Sequence, residues 1–243
     1  MNIYENLAWI EPIIAPPEEY AEEVERYVKV LKDHAARELK TMLHLGCGAG
    51  GHDSQFKKHF EVTGVDISEG MLNVAKENNP EITYLHGDMR TVDLNRQFDI
   101  VAIPDSIMYM NTVEDLHAAI QTAAKHVKLD GLMFFVIHTK EDFQNNNFSY
   151  TAEKENIHVT ILENNHINSD NTYEATMIYL LRENGKLSIH HDVHLLGLFS
   201  HKTWVDTLAT YTKETRFVDM NDLYDANLLE DGEYKLKMVI SKW

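Results

Sequence analysis

The 243-residue chain can bury a substantial core as one α/β domain with room for an insertion, and two full domains would be cramped. Acidic residues outnumber basic ones 39 to 22, and the formal charge of −17 repels a phosphate backbone, so nucleic acid is not an expected partner. A single cysteine, Cys47, excludes an intramolecular disulfide. The amino-terminal residues have neither a basic segment nor an apolar targeting core, and no apolar run spans a bilayer, so the expectation is a cytoplasmic protein with no membrane partner.

Residues 1 to 17 read as extended, punctuated by Pro12, Pro16 and Pro17. From Glu18 to Glu38 a helix is predicted, because Tyr20, Val24, Tyr27, Val28 and Leu31 recur at three and four. The first strand is Met42 to Leu45, followed by the glycine turn G-C-G-A-G-G and a helix. The second strand is Val62 to Ile67, after which Ser68 caps a helix that stops before Pro80. Strands follow at Ile82 to Leu85 and Phe98 to Ile103, then a helix from Glu114 to His126, the turn Asp130-Gly131 and a strand from Leu132 to His138. This βαβ progression yields a parallel sheet with helices on both faces.

The pattern changes at residue 140. Runs at Ile157 to Leu162, Tyr173 to Leu181 and Leu187 to Leu195 read as strands, with Glu183-Asn184-Gly185-Lys186 closing a hairpin. The expected domains are 1–140 plus 200–243 for the main fold and 141–199 for an inserted antiparallel cap. A helix at Lys202 to Tyr211, a strand near Arg216 to Val218 and a terminal strand at Tyr234 to Ser241 complete the chain.

Function is written mainly around the first turn. Glycines at the carboxyl end of a buried strand let the backbone approach a ligand, and Asp66, at the end of the next strand, can accept hydrogen bonds from ribose hydroxyls. Gly46, Gly48 and Gly51 satisfy G-x-G-x-x-G, so these elements alone suit either a nicotinamide dinucleotide or S-adenosylmethionine. Three features favour the second: a helix before the first strand, Gly87-Asp88-Met89 after the third, and a strand-like tail suited to an antiparallel edge pair.

The chain resembles the class I S-adenosylmethionine-dependent methyltransferases. L-H-L-G-C-G-A-G-G resembles that family's first motif, V-T-G-V-D-I-S-E-G-M-L its second, G-D-M-R its adenine motif, F-D-I-V-A-I-P-D-S-I-M-Y-M its fourth-strand motif and V-K-L-D-G-L-M the turn before its fifth strand. More loosely, the Tyr-rich amino terminus and H-H-D-V-H-L-L-G-L-F-S-H-K-T-W are similar to bacterial small-molecule methyltransferases, including amino-sugar N,N-dimethyltransferases. The resemblance implies a Rossmann-like seven-stranded sheet and S-adenosylmethionine as cofactor. It places the cofactor's methionine end at Gly46, Gly48 and the Asp105 backbone, its ribose at Asp66, and its adenine at Asp88 and Met89, with Met71 packed nearby; Cys47 and Ile67 are counted among the cofactor contacts. Two positions depart from the family. His44 stands where it usually has an acid, and Tyr109 stands where the amino-sugar enzymes carry a histidine.

Methyl transfer needs alignment of nucleophile, methyl and sulfur, helped by a base. Tyr109 and His138 lie at carboxyl ends of central strands and are the catalytic candidates. Tyr4, Trp9 and Tyr20 are candidates for an aromatic lid over the sulfonium, with Tyr20 counted among the cofactor contacts. His190, Asp192 and His194 would share one strand face, but such alternation also describes a solvated sheet face and no fourth ligand is evident, so no metal is expected. The expectation is methyl transfer to a small molecule, nitrogen before oxygen, by a possible homodimer. An NAD-dependent oxidoreductase and a non-catalytic S-adenosylmethionine-binding module remain the alternatives.

Overall fold

A computed structural model describes residues 3–220 and 235–243. Five short apolar runs form the parallel strands β1 (Thr41–Leu45), β2 (Glu61–Asp66), β3 (Thr83–His86), β4 (Phe98–Ile103) and β5 (Val127–Ile137). With β10 (Glu214–Asp219) and β11 (Lys237–Lys242) they make a seven-stranded sheet in the order β10-β11-β5-β4-β1-β2-β3. β11 runs antiparallel to both β5 and β10, so the sheet is parallel except for the carboxyl-terminal pair. The beginning of the expected terminal strand, at Tyr234, falls outside the described residues.

Helices cover both faces. The apolar stripe of α2 (Ala21–His34), with Val24, Tyr27, Val28 and Leu31 buried, packs in one cluster with Ile100 and Phe134 of the sheet. α5 (Val113–His126) and α6 (His201–Ala209) cover the other face, where Ile120 and Trp204 share a cluster with Val101 and Phe135. The Ser68 cap is present: its Oγ accepts the Met71 N–H at 3.1 Å and starts α4 (Glu69–Asn78). No described helix is long and apolar enough to cross a membrane.

Three local expectations are corrected. Residues 8–14 are helical rather than extended, as a 3-10 turn at Ala8–Ile10 leading into α1 (Glu11–Ile14), because Pro12 falls in the first helical turn, where a missing N–H costs nothing. The helix after the glycine turn, α3 (Asp53–Phe56), is a single turn. Asp130-Gly131 is not a turn before a strand but an irregularity inside β5, which starts at Val127 and shifts register opposite Phe98 and Ile100.

A separate antiparallel sheet follows, ordered β6-β7-β8-β9: β6 (Asn146–Lys154), β7 (Ile157–Ile167), β8 (Thr172–Glu183) and β9 (Lys186–Gly197). Asn184 and Gly185, at φ 52° and 78°, make the predicted hairpin between the last two strands. One face of the sheet buries Val159, Ile161, Tyr179 and Leu181 against Ile3, Leu7 and Ile10 of the amino-terminal segment. The opposite face leaves Leu162, Ile178, Ile189, Val193 and Leu195 exposed.

Candidate active site

The carboxyl ends of β1, β2 and β4 meet at the glycine turn. Gly46 has φ +73°, and a Cβ there would lie 2.2 Å from Ser106 Oγ, so only glycine lets β1 pass this close to the loop after β4. The Gly46 and Cys47 N–H groups both donate to the Val65 carbonyl, at 2.7 and 3.1 Å, which straps the turn to β2. Asp66 continues the strap: Oδ2 accepts the Gly48 N–H and Oδ1 the Ser68 N–H, each at 2.8 Å. A carboxylate has about four acceptor positions, so capacity remains for a ligand.

Beside this turn lies a cavity of about 990 Å³. Tyr20, Gly46, Cys47, Gly48, Asp66, Ile67, Asp88, Met89, Asp105, Tyr109 and His138 all line it, so the sequence expectations converge on one place. Two expected residues do not. Met71 is 2% exposed and packs with Ile3 and Leu7, because the cap at Ser68 turns the first turn of α4 toward the amino-terminal segment. Trp9 is 41% exposed and lies off the wall, whereas Tyr4 and Tyr20 are on it.

Known proteins place this geometry. A methyltransferase domain family model matches residues 42–131, from β1 into β5. Over 168 residues the chain is 29% identical to the dTDP-3-amino-3,4,6-trideoxy-alpha-D-glucopyranose N,N-dimethyltransferase of Streptomyces venezuelae, spanning 67% of this chain and 70% of that protein. It is 31% identical over 97 residues to the dTDP-4-amino-2,3,4,6-tetradeoxy-D-glucose N,N-dimethyltransferase of Saccharopolyspora spinosa, 39% of each chain. The solved structure of Streptomyces venezuelae DesVI has the same fold, with a TM-score of 0.76 at 24% identity over 91% of both chains. So does S-adenosylmethionine-bound CalS10, an amino pentose methyltransferase from Micromonospora echinaspora, at 0.75 and 20% over 91% of both. The chain is an S-adenosylmethionine-dependent methyltransferase.

The methyltransferase therefore takes S-adenosylmethionine, and the oxidoreductase and non-catalytic alternatives fall away. Its cavity fits that molecule. A glycine turn admits the ligand without a Cβ, an acid ends β2, and further acids line the wall for the ammonium group. His44, which lines the cavity where the family usually has an acid, donates from Nδ1 to Asp53 Oδ1 at 2.6 Å, both groups being buried. Asp88 is committed to Arg90, accepting from its Nη2 at 2.6 Å and its backbone N–H at 2.8 Å, and this pairing holds its carboxyl below the usual range. Burial, with Asp53 and Asp66 nearby, pushes the Cys47 thiol well up, so Cys47 is a small wall residue and not a reactive thiolate.

Three groups in the methyltransferase were not anticipated from sequence. Glu23, His52 and Asp105 bring one ligand atom each within 4.8 Å of one another. Burial and the Glu23 charge push Asp105 up to about 7, with His52 pulling the other way. The only sequence signal was Glu23 itself, an acid one helical turn before Tyr27 on the buried side of α2. The second group is a chain of hydrogen bonds: Tyr109 meets the Tyr4 hydroxyl and, at 2.7 Å, His194 Nδ1. His190, Asp192 and His194 are thereby spread over separate partners, since Asp192 accepts the Ile3 N–H at 2.8 Å and His190 meets Ser188 Oγ at 3.0 Å. The third is Tyr150, Glu163 and Tyr173, through which the antiparallel sheet reaches the cavity. His138 lines the same wall; its Nδ1 donates to the Lys235 carbonyl at 3.1 Å, and burial lowers it to about 4, so it is a neutral imidazole at pH 7.

Proposed function

We propose that this methyltransferase methylates a nitrogen atom of a small-molecule acceptor, with residues 141–199 acting as a cap that shapes the acceptor half of the cavity. The observation that carries the reading is the placement of Tyr150, Glu163 and Tyr173 of the antiparallel sheet on the same wall as Tyr109 and the glycine turn. The relatives' names support nitrogen, because the two curated proteins above are N,N-dimethyltransferases of amino sugars.

Bound S-adenosylmethionine supplies a methyl group on a good leaving sulfonium. In this reading the protein's part is alignment. The Gly46–Gly48 turn and Cys47 receive the methionine end, Asp66 and Ile67 the ribose, and Asp88 and Met89 the adenine. Asp105, with Glu23 and His52 behind it, faces the ammonium. Tyr20 closes the wall at Gly51, where a Cβ would lie 2.4 Å from its ring, and its hydroxyl donates to Glu11 at 3.0 Å. Tyr109, held between Tyr4 and His194, orients the acceptor. Burial raises Tyr109 well above the ordinary phenol value, so it works as a neutral hydrogen-bonding group rather than as a phenolate. His138, neutral at pH 7, offers the acceptor a hydrogen bond.

Titration calorimetry of S-adenosylhomocysteine against wild type and Asp66→Ala tests the cofactor half. Loss of hydrogen bonds to a half-buried carboxylate predicts affinity reduced about a hundredfold. Unchanged affinity removes Asp66 from the site. A second copy of the chain would cover the exposed apolar face of the antiparallel sheet, and light scattering after size exclusion decides this by returning the mass of one chain or of two.

A further inference from the structure

The charge inside the cavity exceeds what methylation of a neutral nitrogen requires. Resting on the nitrogen reading above, we infer that the acceptor is a small organic amine, cationic in its resting form and free of phosphate, whose ammonium group is received by Glu163 between the rings of Tyr150 and Tyr173.

The cavity wall carries Glu5, Glu11, Asp66, Asp105 and Glu163 in addition to Asp88 and Asp115. Against these, Arg90 is the one lysine or arginine among the described lining residues, and its guanidinium is paired with two carboxylates. Nε and Nη2 bond Asp88, the latter at 2.6 Å, and Nη1 bonds Asp115 at 3.0 Å. Residues 1–2 and 221–234 contain no lysine or arginine in the sequence, whereas 221–234 include Asp222, Asp225, Glu230, Asp231 and Glu233. A phosphate or diphosphate brought into such a wall would lose its water and meet one cation whose charge two carboxylates already offset, which is costly. In this the cavity departs from what the names of the dTDP-sugar relatives describe for those proteins.

For a cation the same wall is favourable. Glu163 reaches it from β7 and accepts from Asn165 Nδ2 at 2.7 Å and from the Tyr150 hydroxyl, with acceptor capacity left over. Tyr173 and Met177 stand on the same side of the cavity, and Tyr4 and Tyr109 complete its aromatic lining. Ring faces attract ammonium groups, and a carboxylate among them adds the opposite charge. A second cation beside a sulfonium also needs compensation in a low-dielectric site, which the acids provide. Burial raises the Glu163 carboxyl, so it can take up the proton that an ammonium sheds. The reaction then balances: one N–H proton passes to Glu163, the nitrogen lone pair forms the N–C bond as the S–C bond breaks, sulfur keeps that electron pair, and Glu163 releases its proton to water.

The test offers the purified enzyme, with saturating S-adenosylmethionine, glucosamine, a linear diamine, a sugar lacking the amine, and UDP-glucosamine, with products read by mass spectrometry. One or two methyl groups on the free amines are expected, with kcat/KM for the nucleotide-linked amine about a hundredfold lower. Glu163→Gln should raise KM for the free amine about tenfold while S-adenosylhomocysteine affinity, measured by calorimetry, stays as in wild type. If that variant loses the cofactor, Tyr173→Leu replaces it in the same comparison. Preferred turnover of the nucleotide-linked amine overturns the inference and leaves the nitrogen reading standing. So does an unchanged KM in a variant that still binds cofactor. Methylation of the amine-free sugar alone, or of nothing while S-adenosylhomocysteine binds, overturns both.

Discussion

At Asp105 a carboxyl poised at about 7 faces the place proposed for the cofactor's ammonium group. The protonated form is neutral and attracts no cation, so affinity for S-adenosylhomocysteine is expected to rise as pH increases through about 7 and to level off above it. Calorimetry from pH 6 to 8 measures this, and Asp105→Asn should flatten the curve; a slope that persists in the variant assigns it to another group. Tyr109→Phe removes the hydroxyl that joins Tyr4 to His194, and kcat/KM should fall about tenfold or more with cofactor affinity retained. Wild-type turnover would leave Tyr109 as packing. Which residues line the cavity was legible wherever one sits at a strand end with a fixed local geometry, as Gly46, Asp66 and Asp88 do. Glu23, His52 and Glu163 were not, because each comes from a different stretch of chain and only folding sets Glu23 behind His52 and brings His52 and Glu163 to the cavity.

The elements themselves followed from periodicity where burial is complete. β4 is buried at every position, and its boundaries match the sequence reading. β6 escaped because its asparagines carry no strand signal; Asn146 accepts from Asn165 Nδ2 across the pair at 2.9 Å and donates to the Gln144 carbonyl at 3.1 Å. The bulge in β5 escaped because Asp-Gly is read as a turn whenever its partner strand is unknown. A test belongs to the start of β4, where Asp99 accepts from Arg37 at 2.5 Å, from the Thr41 N–H at 2.9 Å and from Lys128 at 3.1 Å. Asp99→Ala removes a buried acceptor and leaves its partners behind, and should cost about 3 kcal/mol in chemical denaturation. A change under about 0.5 kcal/mol, the scale of an ordinary surface substitution, would mean that the cluster does not hold β1 to β4.

Across the whole molecule, the same group contributes to the acid limb of stability. Burial works against ionisation of Asp99, but Arg37, Thr41 and Lys128 outweigh it and hold the carboxyl well below the ordinary range. Because the folded value lies below the unfolded one, this stabilisation is complete above the usual carboxylate value and is lost as pH falls below it. Thermal unfolding from pH 7 down to 3 should therefore show a steeper loss for wild type than for Asp99→Asn, and parallel curves would assign the acid sensitivity elsewhere. The sheet order was legible in outline from the alternation of strands and helices. The way the amino-terminal segment is clasped by the antiparallel sheet was not, since the bond from the Ile3 N–H to Asp192 joins residues far apart in the chain.

The two halves of the cavity come from separate stretches of chain. Gly46, Asp66 and Asp88 lie in the main sheet's turns, while Tyr150, Glu163, Tyr173 and Met177 all come from the antiparallel sheet. Substitutions in strands β6 to β8 can therefore accumulate without disturbing the turns of the main sheet, and those three strands are the place where a lineage of such enzymes would be free to change its diet.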